Sequence, residues 1–299
     1  MDPVTRGSGL SLRAGAPAKV NRELRVGPPG PDGFHEIRSR FVTIDLEDAI
    51  EAREADVLEL VCEPADLPAD RSNLVVRAAL ALARRCGVEP RARLRLTKRI
   101  PVGAGLGGGS ADAAATLRLL RRLWRLSASE EELSAAAATL GSDVPFFLVG
   151  GEAEVSGRGE RVTAREDRPP VDLLLLIPPF SISTAEAYAA FDRVGAASAP
   201  PARLEIEDSG RFFGPNDLER AAVEVRPELA ALLASARRFA QECAVAGSGS
   251  AIVLAGAGAR ARDELSRRHP EARVLACRTI GREEYRRRVG ADDDSAPRA

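Results

Sequence analysis

The stretch Pro101-Val102-Gly103-Ala104-Gly105-Leu106-Gly107-Gly108-Gly109-Ser110 decides how this chain is read. Five glycines fall within the seven positions 103–109, and a small-residue run, Ala111-Asp-Ala-Ala-Ala-Thr-Leu-Arg-Leu-Leu120, follows without a break. Glycine admits positive φ and lets a ligand come close to backbone amides. The first turn of a helix adds unpaired N–H groups and a partial positive charge. A glycine run leading straight into a helix is therefore an anion site, above all for phosphate. A flexible surface turn is the competing reading, and it leaves the abutting helix former unexplained.

Two phosphate loops of fixed spacing fit poorly. A Walker A loop needs G-x-x-x-x-G-K-[ST], and here Ser110 follows Gly109 with no lysine between them. The dinucleotide pattern G-x-G-x-x-G is formally met by Gly103, Gly105 and Gly108. It belongs, however, after a buried parallel strand and before a single crossover helix. The segment 93–100 alternates charged and apolar residues, as a half-exposed antiparallel strand does. Two helices, over about 111–126 and 129–140, then follow with no strand between them.

The remaining pattern predicts strands at 18–26, 37–46, 55–62, 171–177 and 273–279 and helices at 74–87, 184–193, 226–242 and 257–268. Asn73 is suited to cap the helix at 74–87. Turns are expected at 27–33 and 157–160 and a loop at 196–201; an apolar strand is expected after Pro145. These elements make an α+β fold. The 299 residues suit two modest domains, divided at the linker Arg165-Glu-Asp-Arg-Pro-Pro170. The first would span 15–165 and the second 166–288, with 1–14 and 289–299 as flexible ends.

A net charge of −1 gives nucleic-acid binding no electrostatic basis. The longest apolar run, Val171-Asp-Leu-Leu-Leu-Leu-Ile177, is far short of the roughly 20 residues a membrane span needs. Residues 1–14 lack an apolar core, so no secretory leader is expected in them. Cys62, Cys86, Cys243 and Cys277 are scattered without metal-ligand spacing and read as reduced thiols of a cytoplasmic protein. Of 43 basic residues only two are lysines, Lys19 and Lys98. In so arginine-biased a chain a retained lysine marks a place for a compact ammonium.

Phosphoryl transfer needs a phosphate cradle, positive charge, a metal and a group that orients or deprotonates the acceptor hydroxyl. Asp143, at a helix–strand junction before apolar residues, is the candidate for that last group; a turn cap is the competing reading. Six segments in order strengthen the case: Pro17-Ala-Lys-Val-Asn21, Asp32-Gly-Phe-His-Glu-Ile37, the glycine loop with Ser110-Ala-Asp-Ala-Ala114, Ser142-Asp-Val-Pro-Phe-Phe147, Asn216-Asp-Leu-Glu219 and Gly247-Ser-Gly-Ser-Ala-Ile-Val253. Together they resemble the GHMP kinases, and within them the branch that phosphorylates 4-diphosphocytidyl-2-C-methyl-D-erythritol, over about residues 15–288.

The resemblance implies a two-domain GHMP kinase fold, ATP and Mg²⁺ as cofactors, and a small-molecule alcohol as acceptor. Homoserine or mevalonate is the alternative acceptor within the family. It further implies Lys19 and Asp143 as catalytic residues. ATP would lie along Pro101 to Ala111 with Lys98 beside it. Asn21, Phe34, His35, Thr184 and Tyr188 would bind the acceptor, with the aromatic rings about the cytosine. Without the resemblance, these rings read as core packing. Ser110 is the loop hydroxyl suited to a metal or phosphate oxygen, and it is also suited to a helix N-cap. Phe34 stands where many members have tyrosine, and Arg22 and Glu23 stand where apolar residues are usual.

Overall fold

The computed structural model describes residues 10–195, 204, 206, 210–240 and 242–291. The loop expected at 196–201 and the tail at 292–299 lie outside these, as do residues 1–9. Two long strands open the fold. β1 (Ser11–Pro29) and β2 (His35–Arg53) pair antiparallel from Ser11↔Arg53 to Pro29↔His35. Their turn closes through Gly30 N–H to the Phe34 carbonyl, with Gly33 at φ +77°. β1 thus starts at Ser11, inside the segment expected to be flexible, because Ser11–Ala14 find partners on β2.

β3 (Glu59–Glu63), α1 (Leu74–Cys86), β4 (Arg93–Thr97), α2 (Gly108–Leu123), α3 (Glu130–Leu140), α4 (Phe146–Val149), β5 (Glu152–Gly157) and β6 (Arg161–Ala164) complete the first half. The sheet order is β3-β4-β2-β5-β6, with β1 also on β2. β4 exposes and buries residues alternately, as its pattern predicts; it runs antiparallel to β2 and parallel to β3. Asn73 caps α1 by accepting from Val75 N–H at 2.9 Å.

The apolar strand expected after Pro145 is instead the helical turn α4. Pro145, at φ −58°, is preset for a helix start. Gly150 and Gly151, both at φ +66°, then end the turn before a strand can form.

The second half contains β7 (Asp172–Ile177), α5 (Thr184–Gly195), α6 (Glu219–Val225), α7 (Glu228–Ala236), β8 (Glu242–Val245), β9 (Ile252–Ala255), α8 (Ala259–Arg268), β10 (Arg273–Arg278) and α9 (Arg282–Arg288). Its antiparallel sheet has the order β10-β7-β9-β8. After the exposed Asp172, β7 is apolar from Leu173 to Ile177 because it is buried on both faces. Leu174 and Leu176 meet α7 and α8, while Leu173 and Leu175 face Val20, Val42 and Ile44 of the first sheet. Ala104 and Leu106 of the glycine loop are wedged into that inter-sheet core.

The chain then returns to its first half. Tyr285 of α9 and Val289 pack in the first core, and the Tyr285 hydroxyl donates to the Phe147 carbonyl. α9 thus packs on the first sheet although it lies beyond the division expected at 165/166, and Val289, expected in a flexible end, is buried in that core.

Candidate active site

The glycine loop alternates positive-φ residues with buried ones. Gly103, Gly105 and Gly107 have φ of +69°, +77° and +72°, whereas Ala104 and Leu106 are 2% and 1% exposed. The backbone is held from both sides: Lys19 N–H donates to the Leu106 carbonyl at 3.0 Å and Ala251 N–H to the Ala104 carbonyl at 3.2 Å. α2 begins at Gly108, earlier than expected, because the glycines themselves enter the helix. No side chain caps it, so Ser110 is not its N-cap. The loop borders a cavity of about 490 Å³ that also meets Lys19, Asn21, Lys98, Asp143, Thr184 and Tyr188. A cleft of that size suits a small-molecule substrate.

Lys19 and Asn21 lie on β1 with one residue between them. A register shift between Pro17 and Lys19 turns Lys19 toward Phe41, on the helix side of the sheet. Its ammonium is buried, 4.3 Å from the centre of the Phe41 ring, and donates to Asn21 Oδ1 at 2.7 Å. Asp143 Oδ2 lies 3.4 Å away. Asn21 Nδ2 donates to Ser39 Oγ at 3.0 Å, which fixes the amide's orientation. Asp143, in the turn before α4, is half-buried, so its carboxylate meets both the lysine and the cavity. This is a charged pair at a cleft wall, with a proton acceptor beside a fixed cation.

Lys98, expected beside ATP, is held beneath the loop. Its Nζ donates to Asp48 Oδ2 at 2.5 Å and Asp112 Oδ2 at 2.8 Å, with all three side chains largely buried. The ammonium is thereby neutralised by protein. Burial, partly opposed by Lys98 and reinforced by the Asp48 charge, pushes the Asp112 carboxyl up to about 8.

The expected cytosine-binding residues do not all converge. Tyr188 borders the main cavity, and burial next to Asp143 pushes its hydroxyl above the usual phenol range. His35 lies against it, with ring centres 5.2 Å apart, and also meets Phe191 edge-on at 5.7 Å. Both His35 nitrogens are occupied: Nδ1 by the Gly27 carbonyl at 2.7 Å and Nε2 by Asp192 at 3.2 Å. Thr184 Oγ1 is 3.4 Å from Ser248 Oγ, at the start of α5. Phe34 is apart from these. It is 56% exposed and faces a neighbouring cavity, with the Arg158 guanidinium 4.2 Å above its ring.

Sequence reasoning missed Phe41, Asp48 and Asp112, which meet the two lysines, Ser39, which holds Asn21, and the cavity wall formed by Leu67, Pro68 and Leu74. Their only signal was alternation along β2 and proximity to the loop. Asn216 was part of the motif set without a role. Its Nδ2 donates to the Val245 and Gly247 carbonyls at 2.9 and 2.8 Å, which braces the second glycine loop against Lys19.

Arg22 and Glu23 also find their explanation. Arg22 is the extra residue where the β1–β2 register shifts. It is 3% exposed, pairs with Glu152 at 2.6 Å and donates to the Phe212 and Arg211 carbonyls. Burial holds its pKa below the usual arginine value. Glu23 pairs with Arg25 at 3.0 Å and packs closely against Gly214. Arg22 thus ties the first sheet to the 211–216 segment. Arg22→Met should cost about 3 kcal/mol, because buried Glu152 loses its hydrogen-bonded arginine and keeps only Arg40 and Arg168, each at 3.8 Å. Arg22→Met combined with Glu152→Met should recover most of that loss in urea unfolding, and an equally unstable double variant would refute the assignment.

Known proteins fit this geometry. Residues 73–151 match the GHMP kinases N terminal domain family. The 4-diphosphocytidyl-2-C-methyl-D-erythritol kinase of Salinispora arenicola is 43% identical over 271 residues, covering 85% of this chain and 86% of that protein. A solved structure of 4-(cytidine 5'-diphospho)-2C-methyl-D-erythritol kinase superposes with a TM-score of 0.74 at 33% identity, over 90% of this chain and all of that one. Mevalonate kinase from Methanococcus jannaschii shares the fold alone, with a TM-score of 0.64 at 15% identity. With its loop, lysine–aspartate pair and two-sheet architecture, the chain belongs to the 4-diphosphocytidyl-2-C-methyl-D-erythritol kinases of the GHMP kinase family.

Proposed function

We propose that the protein transfers the γ-phosphoryl group of ATP to the 2-hydroxyl of 4-diphosphocytidyl-2-C-methyl-D-erythritol, giving the 2-phosphate, a step in isoprenoid precursor synthesis. The observation that carries this reading is the Lys19–Asp143 pair, 3.4 Å apart, on the wall of the cavity that the glycine loop also borders. Asp143 accepts the hydroxyl proton as the oxygen attacks the γ-phosphorus, and the bond from that phosphorus to the β–γ bridging oxygen breaks to release ADP. Lys19, fixed by Asn21, stabilises the charge on the phosphoryl group in transit. The loop amides and the start of α2 receive the remaining phosphates.

Mg²⁺ supplies charge neutralisation on the ATP phosphates when bound. Ser110, half-buried at the first turn of α2 and on the cavity wall, fits as a protein ligand. Mg²⁺ takes few such ligands when phosphates and water supply the rest. Tyr188, with His35 behind it, offers an aromatic wall for the cytosine. Phe34 would have to exchange Arg158 for the base in order to join it. The four cysteines are free thiols, which supports a cytoplasmic setting.

ADP release from Mg·ATP, measured with the cytidylated acceptor beside homoserine, mevalonate and galactose, tests the reading. Turnover is expected with the cytidylated alcohol alone, with competition by CMP or CDP. Turnover with another alcohol and none with this one would overturn the substrate while leaving the family intact.

A further inference from the structure

The entry to the glycine loop is clamped by a residue outside every motif. Asp48 of β2 is fully buried. Its Oδ1 accepts two consecutive backbone N–H groups, from Arg99 at 2.5 Å and Ile100 at 2.9 Å. Its Oδ2 accepts from the Lys98 ammonium at 2.5 Å. Those three donors precede Pro101, where the loop begins. Lys98 in turn lies against the loop's far end, since a side-chain carbon added at Gly108 would sit 3.1 Å from its Nζ. One carboxylate therefore spans both ends of the phosphate cradle, directly at residues 99 and 100 and through Lys98 at Gly108.

The arrangement looks costly if it served stability alone. A buried carboxylate must be compensated by hydrogen bonds and an opposite charge. Here a second carboxyl group, Asp112, shares the one ammonium at 2.8 Å, and its Oδ1 has no hydrogen-bond partner among the described residues. Such a half-satisfied buried group adds cost rather than stability. What the arrangement provides is geometry. Loop amides stabilise phosphate only when they are already aimed, because ordering a loop on binding costs affinity.

We propose that Asp48 is a positioning residue for the nucleotide, fixing the glycine loop in its phosphate-receiving form before ATP arrives. The inference rests on the reading that ATP occupies this loop. Asp48 touches no substrate; it acts through the backbone at residues 99 and 100 and through Lys98.

Asp48→Asn keeps an acceptor for the two amides and turns an NH₂ group toward Lys98. Asp48→Glu keeps the charge and moves it away from the amides. Either should raise KM for ATP about 10-fold or more, leaving the acceptor KM and the kcat at saturating ATP within about 3-fold. A KM for ATP within 2-fold of the parent would overturn the proposal, as would a kcat loss without a KM change. A purely structural role would lower the melting temperature and shift both KM values together, or neither.

Hydrogen exchange on the unsubstituted protein gives an answer that needs no variant to fold. The amides of residues 99 and 100 should be protected before ATP is added; protection that appears only with ATP overturns preorganisation. Parent enzyme inactive with Mg·ATP and the cytidylated acceptor would instead indict the functional reading and leave the exchange result standing.

Discussion

In the Asp143→Asn enzyme, kcat is expected to fall at least about 100-fold, the scale of a lost general base, with the fold and KM for ATP nearly unchanged. The amide is isosteric but cannot take the hydroxyl proton. Asp143 is only half-buried, and the Lys19 ammonium keeps its bond to Asn21 Oδ1 and its place over Phe41. The change does leave the buried Lys19 ammonium without its carboxylate, so a lower melting temperature is expected beside the kcat loss. The loss should fall on kcat and kcat/KM equally, as it does when an interaction made only in the transition state is removed. Rapid-quench measurement of the first turnover checks this directly. Near-normal turnover would remove Asp143 from the chemistry and leave Lys19 and the loop to act by electrostatics alone.

Gly105→Ala should be the most damaging single methyl in the loop. Gly105 sits at φ +77°, and an added Cβ would lie 2.0 Å from the Ala246 carbonyl oxygen and 3.0 Å from that of Gly249. Both neighbours are backbone atoms, so no side chain can swing aside. Left-handed backbone alone costs an alanine about 1–2 kcal/mol. The collision must also separate the loop from residues 246–249, which touch Lys19 and Asn21 from the other side.

We expect ATP-dependent turnover to drop by at least about 10-fold and stability by more than about 3 kcal/mol, as for other overpacked and strained sites. Gly256→Ala is the matched control: its φ is +70°, but nothing lies within 4 Å of the added carbon. It should show the backbone cost alone, with turnover unaffected. Equal losses in the two variants would mean that the close approach of the two loops is not what Gly105 serves.

Local signals were read well where local physics governs. The glycine run and the helix after it, the Asn73 cap and the alternation of β4 depend on near neighbours, and each appears in the structure. The short apolar segment after Pro145 was misread because a strand and a helical turn have the same composition at that length. The resemblance puts Lys98 beside ATP and says nothing of the acids that hold it. Only the pairing of β2 with β4 brings Asp48 to it, from 50 positions away. Phe34 and His35 are adjacent, yet neighbours on an extended chain point to opposite sides, so one ring packs against Tyr188 and the other meets Arg158.

The sequence by itself determined the phosphate loop, the ordered set of motifs and hence the family, because those are carried by residue type and short spacing. Tertiary structure alone decided which acids face each lysine. Composition alone makes Lys19 and Lys98 alike, as the two lysines of an arginine-rich chain. Folding gives Lys19 one half-exposed carboxylate at the cavity wall and gives Lys98 two buried ones beneath the loop. Both lysines border the cavity, but the number and burial of the acids facing each ammonium differ, and that depends on strand register rather than on neighbouring residues.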